Sequence, residues 1–130
     1  MRLAVLAAVL ACFAAAPALA DDAADLTAAK ATIAAAKLSA NSDLYMWCGA
    51  AMMIVAQVTK DSAPDKSKAA TDDANTLFTK ASASLTADGV TQDNFGGMMT
   101  AYMTLATAQL VTQTDPLSHQ TDDCDAAKAK

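Results

Sequence analysis

Apolar residues recur along this chain at spacings of three and four, the pattern of helices that bury one face. From Asp21 to Ala40, Leu26, Ala29, Ile33 and Ala36 share a face, with Lys30 and Lys37 off it. Asn41-Ser42-Asp43 then offers a break and a cap. Leu44 to Thr59 is more apolar. Leu44, Trp47, Ala51, Val55 and Val58 form a stripe, and Tyr45, Met46, Met53 and Ile54 widen it, which predicts a central helix. Asp61-Ser62-Ala63-Pro64 ends it, with Pro64 suited to the first turn of the next helix. That third helix, Asp65 to Ala87, turns Ala70, Ala74, Leu77, Phe78, Ala81 and Leu85 inward, and Gly89 can take the left-handed conformation past its end. A fourth starts near Thr91, carries Phe95, Met98, Met99, Tyr102, Ala106 and Leu110 on one side, and stops at Asp115-Pro116. A short last helix runs from Thr121 towards Lys128, acids first and lysines last. Short loops between such helices predict an all-α, four-helix up-and-down bundle with a short C-terminal helix.

The segment before this pattern has a different character. Arg2, the apolar stretch Leu3 to Ala16 and the small-x-small site Ala18-Leu19-Ala20 read as an export signal cleaved between Ala20 and Asp21. Residues 1–20 are therefore expected to be removed, leaving 21–130 as a single helical domain in the periplasm. A competing reading makes Val9-Leu10-Ala11-Cys12 a partial lipobox with a lipid anchor on Cys12. The short apolar stretch before Cys12 and its continuation to Ala16 favour cleavage at Ala20. After cleavage two cysteines remain, Cys48 and Cys124. In an oxidising compartment a structural disulfide is their expected role, and without a Cys-x-x-Cys a redox role lacks its motif. Only the ends, Asp21 to Ala23 and Ala127 to Lys130, are expected to fray.

Composition narrows the function. The processed chain holds eight lysines and fourteen aspartates, a net charge of −6, with neither glutamate nor arginine. Such a surface is poorly suited to nucleic acid or anionic lipid. The longest apolar run after cleavage, Leu44 to Ala56, is 13 residues, which suits a buried helix and predicts no membrane span. Acid–base catalysis needs paired titratable groups in a pocket, and the aspartates fall on caps and exposed faces. The chain reads as a non-enzyme that requires no cofactor.

Several residue groups invite a sharper reading. Met46, Met52, Met53, Met98, Met99 and Met103 supply soft sulfur that can select Cu(I), yet their spacing matches the core stripes. His119, the single histidine, with Asp122, Asp123 and Asp125 is the one cluster suited to a divalent ion, and the helix dipole already explains its acids. No metal site is expected. Thr86 to Phe95 (TADGVTQDNF) fails as a calcium loop, because Phe95 stands where a bidentate carboxylate belongs. Gly96-Gly97 should cost about 1 kcal/mol each within a helix. Close approach of a neighbouring helix, under Trp47, is the expected offset, with a kink opening a pocket as the alternative. Gly49 beside Cys48 would serve the same end. Trp47 and Tyr45 read as core anchors, with a recognition surface as the other reading. Trp47, Met52, Met53, Gly96, Gly97, Met99 and Met103 are together the candidate apolar or ligand-binding surface.

The ALA-DD junction, the Tyr45 to Ala50 segment (YMWCGA) and the Asp-Asp-Cys near the end resemble small, exported, alanine-rich helical periplasmic proteins of bacteria, of unassigned function. The resemblance is one of architecture and implies no functional residues. In general form the chain also resembles small periplasmic chaperones and immunity proteins, helical with one disulfide. The expected function is a non-enzymatic periplasmic binding or protective protein, a stress chaperone or partner-binding bundle that engages a protein. The alternatives are a Met-based copper or metal carrier and a bundle that binds a small apolar ligand.

Overall fold

The computed structural model describes residues 16–130, with side-chain surroundings from residue 22 onward. Residues 1–15, which hold most of the expected leader and Cys12, lie outside the described residues. Five helices follow one another: α1 (Ala16–Ala36), α2 (Ala40–Thr59), α3 (Pro64–Ala87), α4 (Gln92–Leu110) and α5 (Thr121–Ala129). They form a four-helix up-and-down bundle with a short C-terminal helix. α2 is central: it packs against α3, α4 and α5, whereas α1 lies against α4. Its wide apolar surface is the reason. Met46, Trp47, Cys48, Gly49, Ala50, Ala51, Ile54 and Ala56 are all buried, so three neighbours can each cover part of it. Trp47, Tyr102, Met46, Leu77 and Leu85 are the largest fully buried side chains.

The helix ends follow local chemistry, with corrections. Lys37 takes a left-handed φ of 49° and ends α1. α2 begins at Ala40, not after Asn41-Ser42-Asp43. Its cap is Ser39, whose hydroxyl accepts from the Ser42 amide at 3.3 Å. Pro64 opens α3, where its missing N–H costs nothing. α3 closes on Gly89 at φ 87°. There the Gly89 and Val90 amides donate to the Thr86 and Leu85 carbonyls at 3.1 and 2.9 Å, a Schellman arrangement. α4 ends at Leu110, short of Asp115-Pro116, because Gln113 turns into the left-handed region at φ 52°.

Three expectations about packing are overturned. Val55 and Val58, assigned to the buried stripe, are 37% and 65% exposed, since they sit in the last turns of α2 near the 60–63 connection. The C-terminal end does not fray: Ala127 is fully buried, and Lys80 Nζ donates to the Ala127 and Lys128 carbonyls at 3.1 and 2.6 Å. Gly96 and Gly97 are exposed, and a Cβ added at either would meet no atom within 4 Å, so neither admits a neighbouring helix. Gly49 does. A Cβ there would lie 2.7 Å from the Phe78 ring of α3, so glycine is what lets the ring lie against the α2 backbone.

Candidate functional site

Cys48 and Cys124 form a disulfide that bridges 76 residues and pins α5 to α2. A helix of nine residues is too short to persist in water by itself. α5 is therefore held by its staple and by polar clamps. Lys128 Nζ donates to Asp73 at 2.7 Å and lies 2.9 Å from Asp125. These contacts, Asp73 first, raise the ammonium above its ordinary pKa. At the N-terminus of α5 Gln120 and Asp123 form a reciprocal capping box.

The helices are further joined by polar bonds that sequence spacing does not reveal. Asp43, in the first turn of α2, accepts from the Tyr102 hydroxyl of α4. Its other oxygen lies 2.7 Å from His119 Nε2; a carboxylate only accepts, so Nε2 carries the proton. The imidazole packs tilted on the Trp47 indole, centroids 5.6 Å apart. Burial, and then Asp43, push the Tyr102 hydroxyl well above its ordinary pKa, which fixes it as a neutral donor.

Next to this group Trp47 Nε1 donates to Gln109 Oε1 at 2.6 Å. The buried Gln109 amide donates in turn to Asp115 Oδ2 at 3.0 Å and Ser118 Oγ at 2.8 Å. Lys30 of α1 donates to the other Asp115 oxygen at 2.6 Å. Lys30, followed by Gln109, holds the Asp115 carboxyl below its usual range. The 111–120 segment is thus fastened to α1, α2 and α4 at once.

A third joint links the α1–α2 and α3–α4 turns. Asp88 Oδ2 accepts from the Ser42 hydroxyl at 2.5 Å and from the Ser39 amide and hydroxyl at 3.0 Å each. Ser42, then Ser39, depress the Asp88 pKa. Because the Ser42 proton goes to Asp88, the Ser84 hydroxyl, 2.6 Å away, is the donor to Ser42. Among the described residues no buried side-chain polar atom lacks a partner.

Chemically, an Asp–His pair is able to orient an imidazole, as nucleophilic sites require. Of the neighbouring hydroxyls, Tyr102 donates to Asp43 and Ser118 accepts from the Gln109 amide. His119 is separated from its supposed metal partners, since it turns to Asp43 while Asp123 caps α5. Among the described residues, no group of three or more His, Cys, Asp or Glu is placed to hold a metal ion. None of their helices is long and apolar enough to cross a membrane.

The candidate apolar surface is not one surface. Trp47 is fully buried and belongs to the core, because the interior supplies its indole N–H with a partner in Gln109. Met52 and Met53 are half-buried on α2. Gly96 is exposed and lines no cavity among the described residues, and the other members divide among three cavities, all lined by α4. Met103 lines a cleft of about 560 Å³ between α1 and α4. Met99 and Phe95 face Phe78 across an open groove between α3 and α4. Gly97 lines a third hollow, of about 420 Å³, beside Asp88 and the end of α1. The cleavage site Ala20–Asp21 falls within α1, whose backbone runs from Ala16 without a break.

Sequence reasoning missed Asp43, Gln109, Asp115 and Ser118. One signal was present for Asp43. It stands four residues before Trp47, hence on the same helix face, and His119 touches both side chains. No family model, curated protein or solved structure matches this chain. The fold and its geometry define a disulfide-stapled helical bundle with grooves along α4.

Proposed function

We propose that the chain is a non-enzymatic exported protein that binds and protects protein partners, and that the α3–α4 groove receives them. One observation carries this reading. The polar side chains that chemistry would use are engaged in joints between helices, while Phe78, Phe95 and Met99 line an open groove walled by Asn75, Thr79, Ser82, Ala83 and Thr86. Among the described residues no charged side chain lines it. An apolar floor with neutral hydroxyl and amide walls suits an extended apolar stretch of unfolded protein, whose side chains take the floor and whose backbone meets the walls. The disulfide is compatible with export and with work in the periplasm.

The acid-stress version of this function has support in the joints. Asp88 and Asp115 each link separate elements and are held below the ordinary carboxylate pKa, so protonating them would loosen the bundle and widen its apolar surface.

The test is suppression of aggregation of an unfolding client at neutral and at acid pH. The native protein is expected to suppress it at a few-fold molar excess. A Phe95→Ser, Met99→Ser variant, compared at temperatures equally far below each melting point because both side chains also pack against the core, is expected to lose most of that effect. No suppression by the native protein at either pH would overturn the reading. A second reading, a small apolar ligand, is favoured by the α1–α4 cleft.

A further inference from the structure

The α1–α4 cleft differs from the α3–α4 groove in charge. Its volume, about 560 Å³, lies in the range of small-molecule sites. Leu26, Met103 and Ala108 supply apolar wall, and Asp22 and Asp25 line it from α1. Asp22 stands three residues before Asp25 and four before Leu26, so the two carboxylates and the leucine share one helix face. Among the described residues no basic side chain lines the cleft. Neither aspartate has an ion-pair or hydrogen-bond partner among the described residues, and the nearest lysine along α1, Lys30, is engaged by Asp115. Two carboxylates therefore stand beside an apolar recess, and after the expected cleavage the new α-amino group on Asp21 offsets at most one of them.

We infer that this cleft binds an amphiphilic cation, an apolar body carrying an ammonium or amidinium group. The body lies along Leu26, Met103 and Ala108, and the cationic head stays in water between Asp22 and Asp25. The inference rests on the small-ligand reading and names its ligand class. Charge excludes the opposite kind: an anionic amphiphile would meet both carboxylates and a processed chain of net charge −6. Each methylene added to the apolar body should tighten binding about fourfold until the cleft is filled.

The test titrates the native exported protein with dodecyltrimethylammonium, dodecyl maltoside and dodecyl sulfate, each below its micelle threshold. The cation should bind tightest and the sulfate weakest, and the difference should shrink in high salt. Asp22→Asn with Asp25→Asn should weaken the cation about fivefold and leave the maltoside unchanged. Thr107→Phe, at an exposed position lining the cleft, should block both ligands without lowering the melting temperature. Equal affinity for the three would overturn the cation assignment while leaving a small-ligand site standing. Binding that survives Thr107→Phe would place the site elsewhere. No binding of any of the three would overturn both.

Discussion

α1 and α2 are both helices of about 20 residues, but α1 is far richer in alanine and the bundle holds the two by different means. Nine residues of α2 are buried, and Cys48 ties it covalently to α5. Among the α1 residues with described side chains, Ala29 alone is buried, Leu26, Ile33 and Ala36 are half-buried, and the Lys30–Asp115 pair is the one side-chain bond to another element. Alanine explains the difference. It favours the helical backbone as strongly as any residue but brings little apolar area to an interface. A helix can thus be well formed and weakly docked. Regions with few buried contacts open locally at lower free energy than the core, and the cleft proposed to bind amphiphilic cations has such a helix for one wall.

The comparison can be broken most strongly at the staple. Replacing Cys48 and Cys124 with serine should cost roughly 4 kcal/mol by loop-closure entropy and should release α5, seen as lost helicity and a lower denaturation midpoint. If the midpoint stays put, the polar clamps of Lys80 and Lys128 suffice.

Glycines sharpen the contrast with opposite signs. Gly96→Ala and Gly97→Ala, at exposed positions with open space around the new Cβ, should each stabilise by about 1 kcal/mol. Gly49→Ala meets the Phe78 ring at 2.7 Å and should destabilise by about 1 kcal/mol despite the better helix former. Chemical denaturation of the three variants checks this, and stabilisation by Gly49→Ala would contradict the close approach of α3 to α2.

Tyr102→Phe removes the donor to Asp43 and should cost about 1 kcal/mol. A smaller effect follows from pH. Asp88 and Asp115 have folded pKa values below the ordinary 3.8, so their contribution is complete above that value and is lost as the pH falls below it. Lys128 is raised above 10.5, so its contribution is complete below that value and fades as the pH rises past it. A stability profile should therefore be flat near neutrality and fall below about pH 4, with apolar dye binding rising as it falls. Acidification that exposes no dye-binding surface would remove the acid-stress version of the function.

Much of the fold was legible because its cues are local. Pro64 marks a helix start and Gly89 a helix end wherever they occur. Two cysteines left after the expected cleavage allow one intramolecular pairing. The cap of α2 was misplaced because Ser39, Asn41, Ser42 and Asp43 offer nearly equal capping chemistry. What decides among them is Asp88, 49 residues away, which accepts from the Ser39 amide and hydroxyl. Spacing is equally silent about His119 with Asp43, 76 residues apart, or Trp47 with Gln109, 62 apart. Gly96-Gly97 misled for another reason: the expected offset to their helix cost is absent, because they lie on the exposed side of α4, which carries the grooves.

Native-state hydrogen exchange at neutral pH tests the division between a secured centre and a lightly docked α1 most directly. The α1 amides over 26–36 should be about a hundredfold less protected than those of α2 over 46–56, and an amphiphilic cation should raise protection in α1 first. Equal protection in the two helices would contradict it and would make the α1–α4 cleft as rigid as the core.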